Sequence, residues 1–239
     1  MKEFSHEYLE NIEERIEEFK CDIKKAREIQ TFIASKIKEE KLMDFQTVAA
    51  LDCSYFSNKI VTAIVIYDVI NHKVIEEKVK ITTVNFPYIP TLLFLREGPY
   101  MVKLIKETKY HADVYLIDGN GKLHPYKAGL ACYVGYLIEK PTIGVAKKKL
   151  IGNIKWISEN LGNVIYENEV LGKVIRICNK DYYISVGNLI DLDSCIKVFF
   201  KCIRNCYPFP LLKAHELATK TAKNLSRKLL NDSSFDSFH

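Results

Sequence analysis

The chain has 239 residues, 48% of them hydrophobic, which is enough for a substantial core in one domain over residues 1–239. Because no apolar run reaches membrane-spanning length and the acidic N-terminus lacks a signal-peptide core, we expect neither a membrane helix nor secretion. The net charge of +5 is uneven: residues 1–41 carry 9 Lys and Arg against 11 Asp and Glu, and the remainder carries 26 against 19, which favours a polyanionic partner.

The first predicted element is an amphipathic helix over residues 1–41. Apolar residues recur there at three- and four-residue spacing among charged ones, and neither Pro nor Gly interrupts the pattern. We expect this helix to pack on the outside of the domain rather than to form a coiled coil with a partner.

Three strands are predicted next, over residues 47–56, 60–70 and 73–86, since β-branched and apolar residues dominate each run. The polar connections between them are short, which indicates an antiparallel meander. A helix over about residues 91–109 follows the meander.

A βαβ unit is predicted after that helix, from a strand at 114–117, a helix over about 127–138 and a strand at 142–146. The order of the elements favours an α/β fold with a mixed five-stranded core sheet of order 3-2-1-4-5, flanked by helices. In that order the first and fourth strands are neighbours.

The C-terminal part is predicted to add further strands over residues 164–185 and C-terminal helices over 191–230, interrupted at Pro208 and Pro210. Residues 231–239 are predicted to form a frayed tail.

Seven cysteines are scattered through the chain, which is typical of a reduced cytoplasmic protein rather than of a disulfide framework. Cys195, Cys202 and Cys206 have helical spacing and precede His215, but they form no CxxC pair. We therefore interpret them as buried apolar cysteines and not as a zinc site.

The predicted topology brings three carboxylates together. Asp52 follows the apolar start of the first strand, Glu97 lies on the helix after the meander, and Asp118 ends the fourth strand. Clustered carboxylates repel one another, so such a site requires a cation or protons. Oxygen ligands are preferred by Mg²⁺, with Mn²⁺ as a substitute, and a metal held there can activate water and orient a phosphodiester.

Four segments, in their order and spacing, resemble the endonuclease V family. They are VAALDCSYF at 48–56, FPYIPTLLFLREGP at 86–99, DVYLIDGNGKLHPYKAGLACYVG at 113–135 and KPTIGVAKKKL at 140–150. The resemblance covers residues from about 10 to 225. It implies an RNase H-like fold and a divalent-metal endonuclease of DNA repair that recognises deoxyinosine, the product of adenine deamination. The family cuts the second phosphodiester bond on the 3′ side and leaves 3′-hydroxyl and 5′-phosphate ends.

The resemblance also implies catalytic roles for individual residues. The family's metal-binding carboxylates correspond to Asp52, Glu97 and Asp118. Its active-site lysine, whose charge suits the scissile phosphate, corresponds to Lys147. Its C-terminal histidine, which lies near the metal and orients water or binds metal, corresponds to His215.

The family's substrate-binding residues fall into two groups. Its strand-separating wedge, which fills the space left by a flipped base, corresponds to Pro87, Tyr88, Ile89 and Pro90. Its pocket for the flipped base corresponds to Gly119, Gly121, Leu123 and His124. Without the resemblance, Tyr88 would be interpreted as a core tyrosine in a strand-to-helix connection.

One segment departs from the family's pattern. Residues 185–188 read SVGN where many members read SPGH. Asn188 cannot transfer protons as a histidine can, so we expect an altered contact at this position.

Two alternatives stay open. The substrate could be inosine-containing single-stranded RNA, because recognition of a 2′-hydroxyl leaves no clear signature in a sequence, although DNA is favoured. A non-catalytic module that binds inosine or branched nucleic acid would require the loss of a carboxylate, and none of the three is lost. We expect a cytoplasmic monomer that binds nucleic acid and no membrane.

Overall fold

A nine-stranded mixed sheet forms the centre of the structure, a computed structural model that describes residues 3–235. Its strands are β1 (Thr47–Phe56), β2 (Lys59–Asp68), β3 (Lys73–Thr83), β4 (Val114–Asp118), β5 (Thr142–Ala146), β6 (Asn153–Ser158), β7 (Leu161–Tyr166), β8 (Glu169–Ile177) and β9 (Lys180–Asn188). Their order across the sheet is β3-β2-β1-β4-β5-β9-β8-β7-β6, which confirms the predicted 3-2-1-4-5 core. The further strands predicted in the C-terminal part extend the same sheet.

Strand pairing brings the carboxyl ends of three strands to one edge. β1 is antiparallel to β2 and parallel to β4, and β4 is parallel to β5. Leu51 pairs with Ile117, so the next residues along the two strands, Asp52 and Asp118, lie side by side. This register positions the candidate site.

Helices cover both faces of the sheet. They are α1 (His6–Glu10), α2 (Ile16–Cys21), α3 (Ile23–Lys36), α4 (Leu93–Lys106), α5 (Leu130–Ile138), α6 (Leu192–Lys201) and α7 (Phe209–Phe235). Residues of α1–α5 share one apolar cluster with Leu51 and Ile117, whereas residues of α6 and α7 share another with Val48 and Ala50. Adjacent residues of β1 thus face opposite layers of helices.

The N-terminal segment is not the single helix predicted over residues 1–41. α1 ends at Asn11, a 3₁₀ turn and α2 follow, and the Asp22 carboxylate accepts a hydrogen bond from the Lys25 N–H to begin α3. Asn and Asp side chains compete with helical backbone pairing, which explains these breaks. The apolar spacing continues across these breaks because each short helix turns its apolar side toward the core, where Leu9 and Phe19 are buried. Residues 1 and 2 lie outside the described residues.

The C-terminal segment also differs from its prediction. Between α6 and α7 the chain forms a small hairpin of β10 (Ile203–Arg204) and β11 (Tyr207–Pro208). Pro210 lies in the first turn of α7, where its missing N–H would have no helical partner, so the helix is not interrupted there. α7 continues through residues predicted as frayed tail as far as Phe235, and the rest of that predicted tail, residues 236–239, lies outside the described residues.

A disulfide joins Cys178 to Cys206, so the prediction of unpaired cysteines is wrong for these two. They lie in turns that are separated by 28 residues in sequence and meet only in the folded chain, with Cα atoms 5.8 Å apart. Cys195 and Cys202 are free and fully buried in an apolar cluster, as interpreted from the sequence. No helix in the described part of the chain is both long and apolar enough to cross a membrane.

Candidate active site

Asp52, Asp118 and His215 meet where the pairing of β1 with β4 ends, which is at the end of β4 and midway along β1. His215 Nδ1 lies 2.7 Å from Asp52 Oδ2, and one ligand atom from each of the three residues lies within 4.8 Å of the others. α7 brings His215 there because Ala214 and Ala218 present small buried side chains to the sheet. The structure therefore brings together two predicted carboxylates and the predicted histidine.

Asp52 is a buried carboxylate with incomplete charge compensation. Burial first, and then the negative charge of Asp118, raise its pKa to about 6. The hydrogen bonds from His215 and the Cys53 N–H and the charge of Lys147 oppose that shift without cancelling it. A cation at this edge would stabilise the ionised carboxylates.

Glu97 approaches the same edge from the opposite face of the sheet. It is buried on α4, and burial is the main cause that raises its pKa to about 8, with contributions from Asp52 and Asp118. Tyr55 donates a hydrogen bond of 2.6 Å to Glu97 Oε1. Glu97 therefore lies close enough to interact with the two aspartates, but it is not part of the three-residue cluster.

Tyr55 is a site residue that the sequence interpretation missed. The alternation of β1 was a usable signal, because Tyr55 shares the face of Cys53 that turns toward α4. The Arg96 guanidinium lies 4.4 Å from the centroid of the Tyr55 ring, which fixes the ring beside Glu97.

The donor set fits a divalent cation. Two carboxylates and an imidazole supply hard oxygen ligands and one nitrogen. Burial, and after it the charge of Asp118, raises the pKa of Asp52, so a cation would favour its ionised form. The residues that could hold the ion are Asp52 and Asp118, with His215 and Glu97 beside them.

Lys147 follows β5 and donates a hydrogen bond of 2.5 Å to Asp118 Oδ2. Burial lowers its pKa, but Asp118 and Asp52 outweigh this effect, so the net pKa of the ammonium group is raised. The side chain is 56% exposed, which leaves it free to turn toward an incoming phosphate. Lys148 and Lys149 are exposed beside it.

Tyr88 projects from the loop between β3 and α4. It is 69% exposed, whereas Phe86 is buried and Ile89 packs partly against the core. Pro87 and Pro90 are exposed and restrict the backbone on either side of the pair. The alternative of a core tyrosine is wrong, and the geometry is that of a rigid loop with an aromatic tip.

A cavity of about 90 Å³ lies beside Tyr88, and its lining includes Thr91, Asn120, His124 and Gly129. This is smaller than typical small-molecule pockets of roughly 300–1,000 Å³, so it suits a single planar group. Asn120 was missed from the sequence. Its Oδ1 atom is buried and has no hydrogen-bond partner among the described residues.

The four residues predicted to form the base pocket have different positions. Gly121 packs against β9, where a Cβ atom would lie 2.0 Å from the Val186 carbonyl oxygen, and Leu123 is fully buried; neither lines the cavity. Gly119 is buried against Leu130, which lines the cavity.

His124 is the one of the four that lines the cavity directly. Burial lowers its pKa to about 4, and its Nε2 atom lies 3.1 Å from the Thr91 carbonyl oxygen. His124 thus contacts the loop that carries Tyr88 and not the carboxylates.

Asn188 has a structural position at the far end of β9. Its side-chain Oδ1 accepts a hydrogen bond from the Lys38 N–H, and its Nδ2 donates to the Gly135 carbonyl oxygen. It pairs with Thr142 at the start of β5, whereas Lys147 follows the end of that strand. The altered contact expected at Asn188 is therefore a packing contact with the N-terminal segment.

Known proteins are similar to this chain in sequence and in architecture. A sequence profile of the endonuclease V family matches residues 30–216. Endonuclease V of Thermofilum pendens is 35% identical over 213 residues, which cover 86% of this chain and 92% of that protein.

Two solved structures are similar in fold over most of the chain. The crystal structure of Bacillus subtilis endonuclease V has a TM-score of 0.75 and 28% identity, covering 82% of this chain and 92% of that one. Ciona intestinalis endonuclease V, in complex with a 24mer DNA containing an inosine followed by a ribo-adenosine, has a TM-score of 0.77 and 25% identity, covering 85% and 98%. The RNase H-like fold is confirmed, and the chain belongs to the endonuclease V family of metal-dependent nucleases.

Proposed function

We propose that this chain cuts DNA at deoxyinosine, hydrolysing the second phosphodiester bond on the 3′ side and leaving 3′-hydroxyl and 5′-phosphate ends. The observation that carries the proposal is the cluster of Asp52, Asp118 and His215 at the sheet edge of an endonuclease V family member. The reaction removes no base; it opens the strand beside a deaminated adenine for repair.

We assign Mg²⁺, with Mn²⁺ as a substitute, to Asp52, Asp118 and Glu97. When bound there, the cation supplies Lewis-acid charge at the phosphate and lowers the pKa of a water molecule. Lys147 exchanges its contact with Asp118 for the scissile phosphate and balances charge on its oxygens. The half-exposed His215, held by Asp52 through Nδ1, presents its other ring nitrogen to the attacking water.

Base recognition is assigned to the small cavity beside Tyr88. Hypoxanthine carries a proton on N1, whereas adenine has a lone pair there. Asn120 lines the cavity and its buried Oδ1 atom has no partner among the described residues, so a rotation of the side chain would let Oδ1 accept a hydrogen bond from hypoxanthine N1 and repel the lone pair of adenine. Tyr88 would fill the gap in the base stack.

α7 offers a surface for the nucleic-acid backbone. Lys220, Lys223 and Arg227 are exposed at helical spacing and line a shallow groove of about 550 Å³ that begins at His215. Phosphates that follow this row would lead directly from the carboxylates along the helix.

RNA is the second candidate substrate. The DNA bound by the Ciona intestinalis relative contains a ribo-adenosine directly after its inosine, so that protein accommodates a 2′-hydroxyl next to the lesion. The deciding experiment compares single- and double-stranded DNA and RNA of one sequence, each with a single inosine. We expect the fastest cut in DNA at the second 3′ bond; faster cutting of RNA would reassign the substrate, and an abasic product would indicate a glycosylase.

We also propose that residues 1–239 act as one domain, as a cytoplasmic monomer. Support for the single domain comes from the N-terminal helices, which pack on one face of the sheet, and the C-terminal helices, which pack on the other.

A further inference from the structure

A second and larger cavity opens beside the carboxylates. Its volume is about 520 Å³, within the range of roughly 300–1,000 Å³ that is typical of ligand sites. Its lining includes Asp118, Lys147 and His215, so it adjoins the carboxylate cluster. The remaining wall includes Lys180, Tyr182, Tyr207, Pro208, Leu211 and Leu212. None of these six residues has a role in the function proposed above.

The walls of this cavity suit a flat apolar group that carries a negative charge at one side. Pro208, Leu211 and Leu212 provide apolar surface, and Lys147 and Lys180 provide positive charge. Asp181 also lines the cavity, but its carboxylate is paired with Arg176. Lys180 Nζ donates a hydrogen bond of 2.7 Å to the Tyr207 hydroxyl and lies 4.3 Å from the ring centroid. A nucleobase that stacks on this face takes the place of the Lys180 ammonium, which then contacts the phosphate together with Lys147.

The outer wall of the cavity is fixed covalently. The Cys178–Cys206 disulfide joins the turn between β8 and β9 to the turn between β10 and β11. Cys206 directly precedes Tyr207, and Cys178 precedes Lys180 by two residues. The stacking face is therefore held in place before any ligand enters.

The two cavities lie on opposite faces of the sheet. The small cavity beside Tyr88 is lined by Phe94 and Leu130, which belong to the cluster of α1–α5, whereas the large one is lined by Val145 and Leu211 from the cluster of α6 and α7. The carboxylates lie at the sheet edge between them. A strand with its inosine in the small cavity must cross this edge to be cut.

We propose that the large cavity is a subsite for the first nucleotide on the 3′ side of the cut bond, with its base stacked on Tyr207. This inference rests on the proposed function, in which a single nucleotide separates the inosine from the cut. That nucleotide spans the sheet edge, and the next one, which carries the new 5′-phosphate, enters the large cavity beside Lys147.

The test uses two deoxyinosine oligonucleotides that differ only in the first nucleotide after the cut, which is either normal or a stable abasic residue. We expect the wild-type enzyme to lose about tenfold in kcat/KM on the abasic substrate, the loss typical of one stacked base. Tyr207→Ala should lose the same factor on the normal substrate and nothing further on the abasic one. Tyr207→Phe, which keeps the ring, should behave as wild type, as should Tyr110→Ala, which removes an exposed tyrosine elsewhere.

The outcomes separate this inference from the proposed function. Failure of the wild-type enzyme to cut either substrate at deoxyinosine would contradict the proposed function, and the subsite with it. Equal wild-type rates on both substrates would overturn the subsite alone. So would an equal loss on both substrates in Tyr207→Ala, since that pattern indicates damaged folding rather than a lost stacking contact.

Discussion

Without a bound cation, the buried carboxylates of Asp52 and Glu97 reduce the stability of the folded protein once they ionise. Each carboxylate is buried near the other and near Asp118, and their pKa values rise to about 6 and about 8. A carboxyl group whose pKa is raised by folding stabilises the folded state below its unfolded pKa. That contribution is lost as pH rises through the folded pKa. The metal-free protein should therefore become less stable between about pH 4 and pH 8.

Glu97→Gln removes one of these charges while keeping an acceptor for the Tyr55 hydroxyl. In the presence of a chelator at pH 8, we expect the variant to exceed the wild type in free energy of unfolding by about 4 kcal/mol. The two proteins should be equally stable near pH 4, where Glu97 is protonated in both states. Denaturant unfolding at the two pH values measures the difference, and a variant less stable than wild type at pH 8 would contradict the burial argument.

Asn120→Leu tests base recognition because leucine has nearly the same shape but no acceptor. We expect kcat/KM for deoxyinosine to fall about tenfold, the cost of one hydrogen bond to a buried group. Cutting at an unsubstituted purine base, which has a lone pair on N1 in place of a proton, should rise, because the substitution removes the repulsion between Oδ1 and that lone pair. A similar loss on both bases would show that Asn120 supports the loop instead of contacting the base.

Individual helices and strands differ in how well the sequence predicted them. β1, β4 and β5 were predictable because buried parallel strands are continuous apolar runs, and their order brought Asp52 and Asp118 together. The helix breaks at Asn11 and Asp22 were not predictable, because the spacing of apolar residues continues across both helix ends. The Cys178–Cys206 bond could not be predicted because the two turns meet only after folding. Asn120 was missed because only the glycines beside it in the loop were considered as pocket residues.

Three exposed basic residues of α7, which are Lys220, Lys223 and Arg227, predict a salt-dependent contribution to the affinity for nucleic acid. Lys223→Ala should weaken binding of inosine-containing and undamaged DNA alike, and should reduce the slope of log affinity against log salt concentration by about 1. Lys213→Ala is the matched control, since Lys213 pairs with Glu216. An effect restricted to inosine-containing DNA would place Lys223 in lesion recognition and contradict a backbone role.

The Cys178–Cys206 disulfide predicts that the free energy of unfolding depends on redox conditions. Cys206→Ser opens a link across 28 residues, and the lost constraint on the unfolded chain corresponds to about 3 kcal/mol. Unfolding under oxidising conditions should show this difference, and a reducing agent should remove it by lowering the wild type to the level of the variant. If the wild type is equally stable in both conditions, the bond does not constrain the protein in solution.

The molecule as a whole is organised around one edge of its sheet. α4 brings Glu97 to that edge from one face and α7 brings His215 from the other, while β1 and β4 supply the two aspartates. The Tyr88 loop lies on the first side and the Tyr207 cavity on the second. Under the proposed function, the base is read on one face of the sheet and the strand is cut at the edge beside it.

Cleavage by Asp118→Asn decides whether the carboxylates at the sheet edge are the catalytic centre, because this substitution removes one charge from the site and keeps the size of the side chain. With Mg²⁺ and a duplex carrying one deoxyinosine, the wild type should give a single nick at the second 3′ bond. The variant should lose at least about a thousandfold in rate while still binding the duplex. Cutting by Asp118→Asn at the wild-type rate would show that the carboxylates at the sheet edge are not the catalytic centre.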